Sequence, residues 1–117
     1  MTTTQRAVVQ QNNDETLQFT VYARDTAPAD QPFNITGMTL DFWIKSTSLT
    51  PDTDPSTVHL STSTGEITAT QPTLGICQVT IAKSRLATAG TRWYRLDVTS
   101  GGQVRTAGKG DLVIDPL

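Results

Sequence analysis

The segment Met38-Thr39-Leu40-Asp41-Phe42-Trp43-Ile44-Lys45 decides the fold, because apolar residues occupy its even positions and mostly polar ones its odd positions. A period of two places successive side chains on opposite faces of a strand, whereas a helix needs apolar residues every three or four positions. The even-numbered residues therefore form the predicted buried face of a strand. The odd-numbered residues, Trp43 among them, form its exposed face.

Three more segments repeat this alternation. Their apolar positions are Leu17, Phe19, Val21 and Ala23; Cys77, Val79 and Ile81; and Tyr94, Leu96 and Val98. Weaker strand candidates lie at residues 6–11, 57–61, 66–70, 103–107 and 111–115. Strands with one apolar and one polar face are typical of antiparallel sheets that cover a core on one side.

Glycines mark the turns between the last strands. Ser100-Gly101-Gly102 predicts a tight hairpin, since glycine adopts the positive φ angles that such turns need. Gly108-Lys109-Gly110 interrupts the final strand, and a bulge there would keep Leu112 and Ile114 facing inward. These features favour consecutive strands that fold back on one another.

The remaining segments are predicted to be loops or a short helix. Residues 25–34 and 46–56 each contain two prolines and are expected to be loops. Only residues 83–89 have a helical pattern, with Ser84 as the expected cap and Gly90 at the end.

We therefore predict an all-β fold, an immunoglobulin-like antiparallel β-sandwich in a single domain with at most one short helical turn. The 22 threonines among 117 residues agree with it, because β-branched residues fit a pleated surface. Residues 1–11 are expected to be an N-terminal arm or an edge strand, and residues 12–117 the sandwich domain.

Composition argues against several function classes. Nine Lys and Arg residues against 11 Asp and Glu residues give a net charge of −2, which disfavours nucleic-acid binding. The apolar runs are too short to span a membrane. With one cysteine and one histidine, we predict no catalytic residues, no metal site and no cofactor. The first six residues lack the apolar run of a signal peptide.

Four polar residues have plain structural interpretations. Cys77 shares the inward register and is expected to be a buried, inert thiol. His59 lies between two apolar residues and should point outward as a surface histidine. Asp52 and Asp54 could bind a hard cation, but a solvated loop is favoured because the other ligands of such a site are missing.

Tyr22, Trp43 and Trp93 are the candidate interface residues, because all three fall on the polar faces of predicted strands. Exposed Trp and Tyr side chains are enriched where surfaces meet. They could contact a neighbouring subunit or stack on a sugar ring. The alternative is that a terminal segment or a long loop covers them within the fold.

From Ile35 onward the sequence resembles small immunoglobulin-like domains of bacteriophage virion proteins, similar to the N-terminal domain of phage baseplate upper proteins. The step Asp14-Glu15-Thr16 into an apolar strand fits the start of such domains. The main resemblance rests on four further stretches. They are Ile35-Thr36-Gly37-Met38 leading into the first strand quoted above, Gly75-Ile76-Cys77-Gln78-Val79, Gly90 followed by Trp93-Tyr94-Arg95-Leu96, and Gly110-Asp111-Leu112-Val113-Ile114. Arg92 departs from the Gly-x-aromatic step expected after Gly90.

The resemblance implies a non-enzymatic structural protein of the virion, made in the host cytoplasm and built into the particle. It would be an accessory component of the tail, baseplate or head-tail region. Its partners would be other virion proteins, in a homo-oligomer or ring. Because the chain ends soon after the sandwich closes, a capsid decoration protein is an equal alternative to a baseplate adaptor. A carbohydrate-binding module that recognises a host-surface glycan is the other alternative.

Overall fold

The computed structural model describes the backbone of residues 3–4 and all of residues 6–22 and 31–117. Ala23 of the predicted alternation and most of the predicted loop at residues 25–34 lie outside the described residues.

Within the described residues, nine strands form two sheets. They are β1 (Thr3–Thr4), β2 (Ala7–Gln10), β3 (Glu15–Thr20), β4 (Thr39–Lys45), β5 (Val58–Ser61), β6 (Ile67–Gln71), β7 (Ile76–Ile81), β8 (Gly90–Ser100) and β9 (Gln103–Asp115). The larger sheet has the order β1-β9-β8-β4-β5, with β2 also paired to β9, and the smaller sheet has the order β3-β7-β6. The predicted all-β sandwich is confirmed, whereas its immunoglobulin-like character stays a prediction.

The core lies between the inner faces of the two sheets. The larger sheet contributes alternate residues of β4 and β8, which pair as Leu40 with Val98, Phe42 with Leu96 and Ile44 with Tyr94. The smaller sheet contributes Cys77, Val79 and Ile81, and all nine side chains are buried. The rings of Phe19, Phe42 and Tyr94 meet at the centre, with centroids 5.4–5.6 Å apart. Fully burying one such apolar side chain contributes roughly 1.5–3 kcal/mol to the free energy of folding. The burial of these nine side chains therefore provides much of the stability.

The N-terminal strands pair in parallel with β9, whereas all the other strand pairs are antiparallel. The prediction of antiparallel pairing therefore fails for β1 and β2. Ala7 and Val9 of β2 are buried in the core. Their partners on β9 are Leu112 and Ile114, more than 100 positions away in the chain, and a local pattern carries no information about the direction of such a pairing.

Strand β9 has one irregularity. Leu96 pairs with Gly108 and Asp97 with Thr106, so Ala107 is the extra residue of a bulge. The sequence pattern placed the interruption slightly later, at residues 108–110, where the strand is in fact continuous. Its predicted consequence is confirmed, because Leu112 and Ile114 are both buried.

In the part of the chain that the structure describes, two short 3₁₀ helices replace the one helical turn that was expected. Lys83–Leu86 is shorter than the predicted helix, and Ser84 does not cap it; the backbone N–H of Lys83 instead donates to Asp14 Oδ1 at 2.8 Å. The second, Pro72–Leu74, was not predicted. It begins at a proline, whose fixed φ suits a helical start, and ends at Gly75, whose φ of 72° reverses the chain.

Candidate functional site

The outer face of the larger sheet carries a connected group of polar and aromatic side chains. Trp43 on β4 lies opposite Arg95 on β8 and opposite His59 on β5. We call this group the Trp43 cluster, and its members are Asp41, Trp43, Lys45, Asp52, His59, Arg95 and Asp97. The strand alternation places all of them outward except Asp52, which reaches the sheet from the loop after β4.

Trp43 is held between its two cross-strand neighbours. The His59 ring stacks on the indole with centroids 3.9 Å apart and planes 4° from parallel. From the opposite side of β4, the guanidinium carbon of Arg95 lies 5.5 Å from the indole centroid, within range of a cation–π attraction. Both faces of the Trp43 ring are therefore covered. Its Nε1 is buried and has no hydrogen-bond partner among the described residues.

His59 is also tied to Asp41. Its Nε2 lies 2.7 Å from Asp41 Oδ1, in a hydrogen bond whose donor depends on the tautomer of the ring. The His59 side chain is 45% exposed, which confirms the predicted surface position. Its two partners were not predicted, although the pairing of β4 with β5 brings both of them beside it.

Asp52 anchors the loop that follows β4 to this face. Arg95 holds its carboxylate with two hydrogen bonds, from Nη2 to Oδ2 at 2.8 Å and from Nη1 to Oδ1 at 3.2 Å. Lys45 Nζ donates to the same Oδ1. The hydrogen bonds from Arg95 and then Lys45 lower the pKa of Asp52 from 3.8 to about 2. Asp52 is exposed, as expected for a solvated loop, but its bonds to Arg95 and Lys45 were not predicted. Asp54 accepts hydrogen bonds from Ser56 within the loop.

Arg95 connects this loop to the interior of the cluster. Its Nε donates to both oxygens of Asp97, at 3.0 and 3.1 Å, and Thr106 Oγ1 donates to Asp97 Oδ1 at 3.1 Å. Asp97 is almost fully buried, and these hydrogen bonds satisfy its carboxylate oxygens. Hydrogen bonding to Asp52 raises the pKa of Arg95 further above its ordinary value. Opposite charges thus compensate one another across the face and hold Trp43 in one position.

The structure brings two of the three predicted interface residues onto one face. Trp93 lies on the same outer face as Trp43, between Lys45 on β4 and Asp111 on β9, and is half-buried. Tyr22 is elsewhere, in an isolated bridge to Pro32 beyond the end of β3. That these residues contact a partner stays a prediction.

The only cysteine is a structural thiol, as predicted. Cys77 has no exposed surface, and burial raises its pKa from 9.0 to about 11. A thiol in this state is a poor nucleophile. The part of the chain that the structure describes holds no group of three or more His, Cys, Asp or Glu side chains arranged to bind a metal. It likewise holds no helix with the length and hydropathy needed to cross a membrane.

These features define a two-sheet β-sandwich domain with a rigid polar and aromatic face. No protein-family profile matches the chain, and no curated protein matches it in sequence. Among solved structures it is similar to the N-terminal domain of phage TP901-1 ORF48, with a TM-score of 0.61. The two share 10% of their residues over 97% of this chain and 94% of that one. At this identity the match shows a shared fold.

Proposed function

We propose that the chain is a non-enzymatic structural protein of a bacteriophage virion, an accessory component of the tail, baseplate or head-tail region. The observation that carries the proposal is the fold match, which spans nearly the whole of both chains and comes from a phage protein. The sequence resemblance at Gly75, Gly90 and the strands that follow them points to the same class of protein, a structural protein of phage particles. The partners are other virion proteins, in a homo-oligomer or ring, and the location is the virion.

The contact surface that we propose is the outer face of the larger sheet, around Trp43 and Trp93. A rigid surface loses little side-chain entropy when a partner docks, and this favours association. The Trp43 cluster meets that condition, because hydrogen bonds fix Arg95, Asp52 and Asp97 before any partner is present. Trp93 extends the surface toward β9 with a half-buried indole. Tyr22 would belong to a second, separate contact.

Quantitative mass spectrometry of gradient-purified phage particles tests the proposal. The quantity to measure is the molar ratio of this chain to the major capsid protein. A low ratio typical of one ring supports a tail, baseplate or head-tail position. A ratio near one supports the alternative of a capsid decoration protein, and absence from the particles overturns the virion proposal.

The geometry around Trp43 bears on the carbohydrate-binding alternative. A sugar ring that stacks on an indole needs one open face of it, and both faces of Trp43 are covered by His59 and Arg95. Glycan binding would therefore depend on Trp93. Saturable quenching of tryptophan fluorescence by a host-surface glycan, lost in Trp93→Phe and kept in Trp43→Phe, would support a binding module instead of a purely structural part.

A further inference from the structure

One end of the sandwich contains a cavity of about 220 Å³. It lies where β4 and β9 end and where β5 and β8 begin, and residues 84–88, in and after the 3₁₀ helix Lys83–Leu86, complete its wall. The apolar part of its lining is Ile44, Val58, Ala87 and Ile114. Since one water molecule takes roughly 30 Å³ in the liquid, a small polyatomic group fits there with a few waters.

The polar lining has one sign of charge. Three basic residues and four hydroxyl-bearing residues surround the cavity, and no acidic residue is among the described residues that line it. The basic residues are Lys45, Arg85 and Arg92, and the hydroxyl-bearing residues are Ser46, Ser56, Ser84 and Thr88. All seven side chains can donate hydrogen bonds, and a cation would find no carboxylate ligand here.

The three basic residues differ in what already compensates their charge. Lys45 donates to Asp52. Arg85 is exposed, and its charge interacts with Glu66. The pKa of Glu66 is lowered chiefly by the hydrogen bond from Thr64 and in smaller part by the charge of Arg85. Arg92 has no ion pair with any other described residue.

Arg92 also occupies an unusual position for a charged residue. It follows the inward alternation of β8, two positions before the buried Tyr94, and pairs with the buried Leu112 on β9. Its side chain is half-buried and lines the cavity at the edge of the core. Because removing a charge from water is costly unless an opposite charge compensates it, a guanidinium in this place favours an anionic partner. This is the residue that departs from the resemblance described above.

We propose that this cavity binds one oxyanion group, either a carboxylate or a tetrahedral phosphate or sulfate, with Arg92 as its principal ligand. The planar fork of a guanidinium matches two oxygens of such a group. Arg85 supplies a second positive charge, and the Ser84 and Thr88 hydroxyls supply further donors at the rim. The site is independent of the proposed virion role, since binding of a free anion requires no particle.

An NMR titration of the ¹⁵N-labelled full chain tests this. Sodium phosphate, sodium sulfate and sodium acetate are added separately, with sodium chloride at matched ionic strength as the reference. We expect saturable shifts confined to amides around the cavity, at residues 44–46, 84–88 and 92. Arg92→Gln should weaken the affinity about tenfold or more, the effect of losing a charged hydrogen bond.

The matched control is Arg105→Gln. It removes the same charge near the β8–β9 hairpin, where Arg105 lies over the Phe33 ring at the other end of the strand. The affinity should stay within about twofold of that of the unchanged chain. Saturation by acetate assigns the site to a carboxylate, and saturation by phosphate or sulfate alone assigns it to a tetrahedral anion.

Two outcomes would overturn the proposal. One is that sodium chloride reproduces the shifts, and the other is that Arg92→Gln binds as well as the unchanged chain. If Arg92→Gln does not fold, Arg85→Gln replaces it, because Arg85 is exposed and its loss should leave the core intact. Unchanged affinity in Arg85→Gln would then overturn the proposal as well.

Discussion

His59 and Trp43 lie face to face across β4 and β5, with ring centroids 3.9 Å apart and ring planes 4° from parallel. β5 has four residues and ends the strand order of the larger sheet. A short terminal strand gains little from its few backbone hydrogen bonds, so cross-strand side-chain pairs matter more there. We infer that this stack, with the His59–Asp41 hydrogen bond beside it, fastens β5 to the rest of the sheet.

A double-mutant cycle measures that stack. We expect His59→Ala and Trp43→Phe to be coupled by about 0.5–1.5 kcal/mol in the free energy of unfolding, the usual range for close aromatic pairs. Chemical denaturation gives all four free energies. The matched control is the cycle of His59→Ala with Trp93→Phe, because Trp93 pairs with Lys45 rather than with the Trp43–His59 row. Equal coupling in the two cycles would contradict a specific stack.

The bond between Asp52 and Arg95 predicts acid sensitivity. The pKa of Asp52 is about 2 in the folded chain, below its ordinary value of 3.8. The unfolded chain therefore binds a proton first as the pH falls. The stabilisation by this carboxylate is complete above pH 4 and is lost as the pH falls toward 2. Asp52→Asn should flatten the dependence of the unfolding free energy on pH in this interval.

The control for that experiment is Asp111→Asn. Asp111 is an exposed carboxylate on β9, and it lies outside the Trp43 cluster. We expect this variant to keep the slope of the unchanged chain between pH 4 and pH 2, measured by urea denaturation at each pH. If Asp52→Asn keeps the same slope too, the ion pairs to Arg95 and Lys45 contribute nothing in solution.

A substitution at Trp93 tests the proposed contact surface. If this face docks onto a virion partner, Trp93→Ser should lower incorporation into particles about tenfold or more, since buried tryptophans often dominate an interface. The measurement is the mass-spectrometric ratio to the major capsid protein, after calorimetry has shown that the variant folds. Val104→Ser, which changes an exposed apolar residue on β9 near the hairpin, should incorporate normally. Equal incorporation of both variants would move the contact elsewhere.

Local sequence patterns correctly predicted which side chains of the strands face the core. The alternation through Leu40, Phe42 and Ile44 fixed which side chains are buried, because the period of a strand depends only on neighbouring residues. The same reasoning found the inward positions of Tyr94 and Cys77. It could not find the parallel pairing of β2 with β9, since nothing in Ala7–Gln10 specifies a partner more than 100 residues away.

The candidate site was predicted only in part, for a related reason. Trp43 and Trp93 were placed correctly on an outer face by alternation alone. The bonds that Arg95 donates to Asp52 join a strand to a loop 43 residues earlier in the chain, and pairing of that kind depends on the path of the loop. The stack of His59 on Trp43 required the register of β5, which short strands with few apolar residues define poorly.

Tyr94 carries a buried hydroxyl that does not contribute to the stability of the fold. The side chain has no exposed surface, and its hydroxyl has no hydrogen-bond partner among the described residues. Because an unsatisfied buried polar group costs about 1–3 kcal/mol, Tyr94→Phe should raise the free energy of unfolding by about 1 kcal/mol. Denaturation at pH 7 measures this, and a loss of stability would show that the hydroxyl is satisfied in solution.

Alkaline pH provides a second measurement on the same variant. Burial raises the pKa of Tyr94 from 10.0 to about 12, so the unfolded chain loses its phenolic proton first. Stability should therefore fall between pH 10 and pH 12. Cys77, with its pKa of about 11, causes a similar fall from pH 9 onward in both proteins. The difference between Tyr94→Phe and the unchanged chain isolates the tyrosine, and it should grow above pH 10.

Gly75 and Gly37 allow backbone strain to be separated from crowding. Their φ angles are nearly equal, at 72° and 74°. A Cβ on Gly75 would lie 2.5 Å from the Val21 carbonyl oxygen and 2.7 Å from that of Phe33, whereas a Cβ on Gly37 would meet no atom within 4 Å. Gly37→Ala should therefore cost only the left-handed conformation, about 1–2 kcal/mol.

Gly75→Ala has the same conformational cost and also forces apart two backbone segments. The Val21 N–H donates to the Gly75 carbonyl at 2.8 Å, and the Phe33 N–H donates to the Val21 carbonyl at 2.9 Å, so Val21 and Phe33 cannot move away from Gly75 without straining a hydrogen bond. We expect the loss of stability to exceed that of Gly37→Ala by about 2 kcal/mol or more, since overpacking typically costs 1–3 kcal/mol. Thermal and urea denaturation of the two variants measure the difference. Equal losses would mean that the segments at Val21 and Phe33 move aside freely, and that this junction does not fix the start of β7.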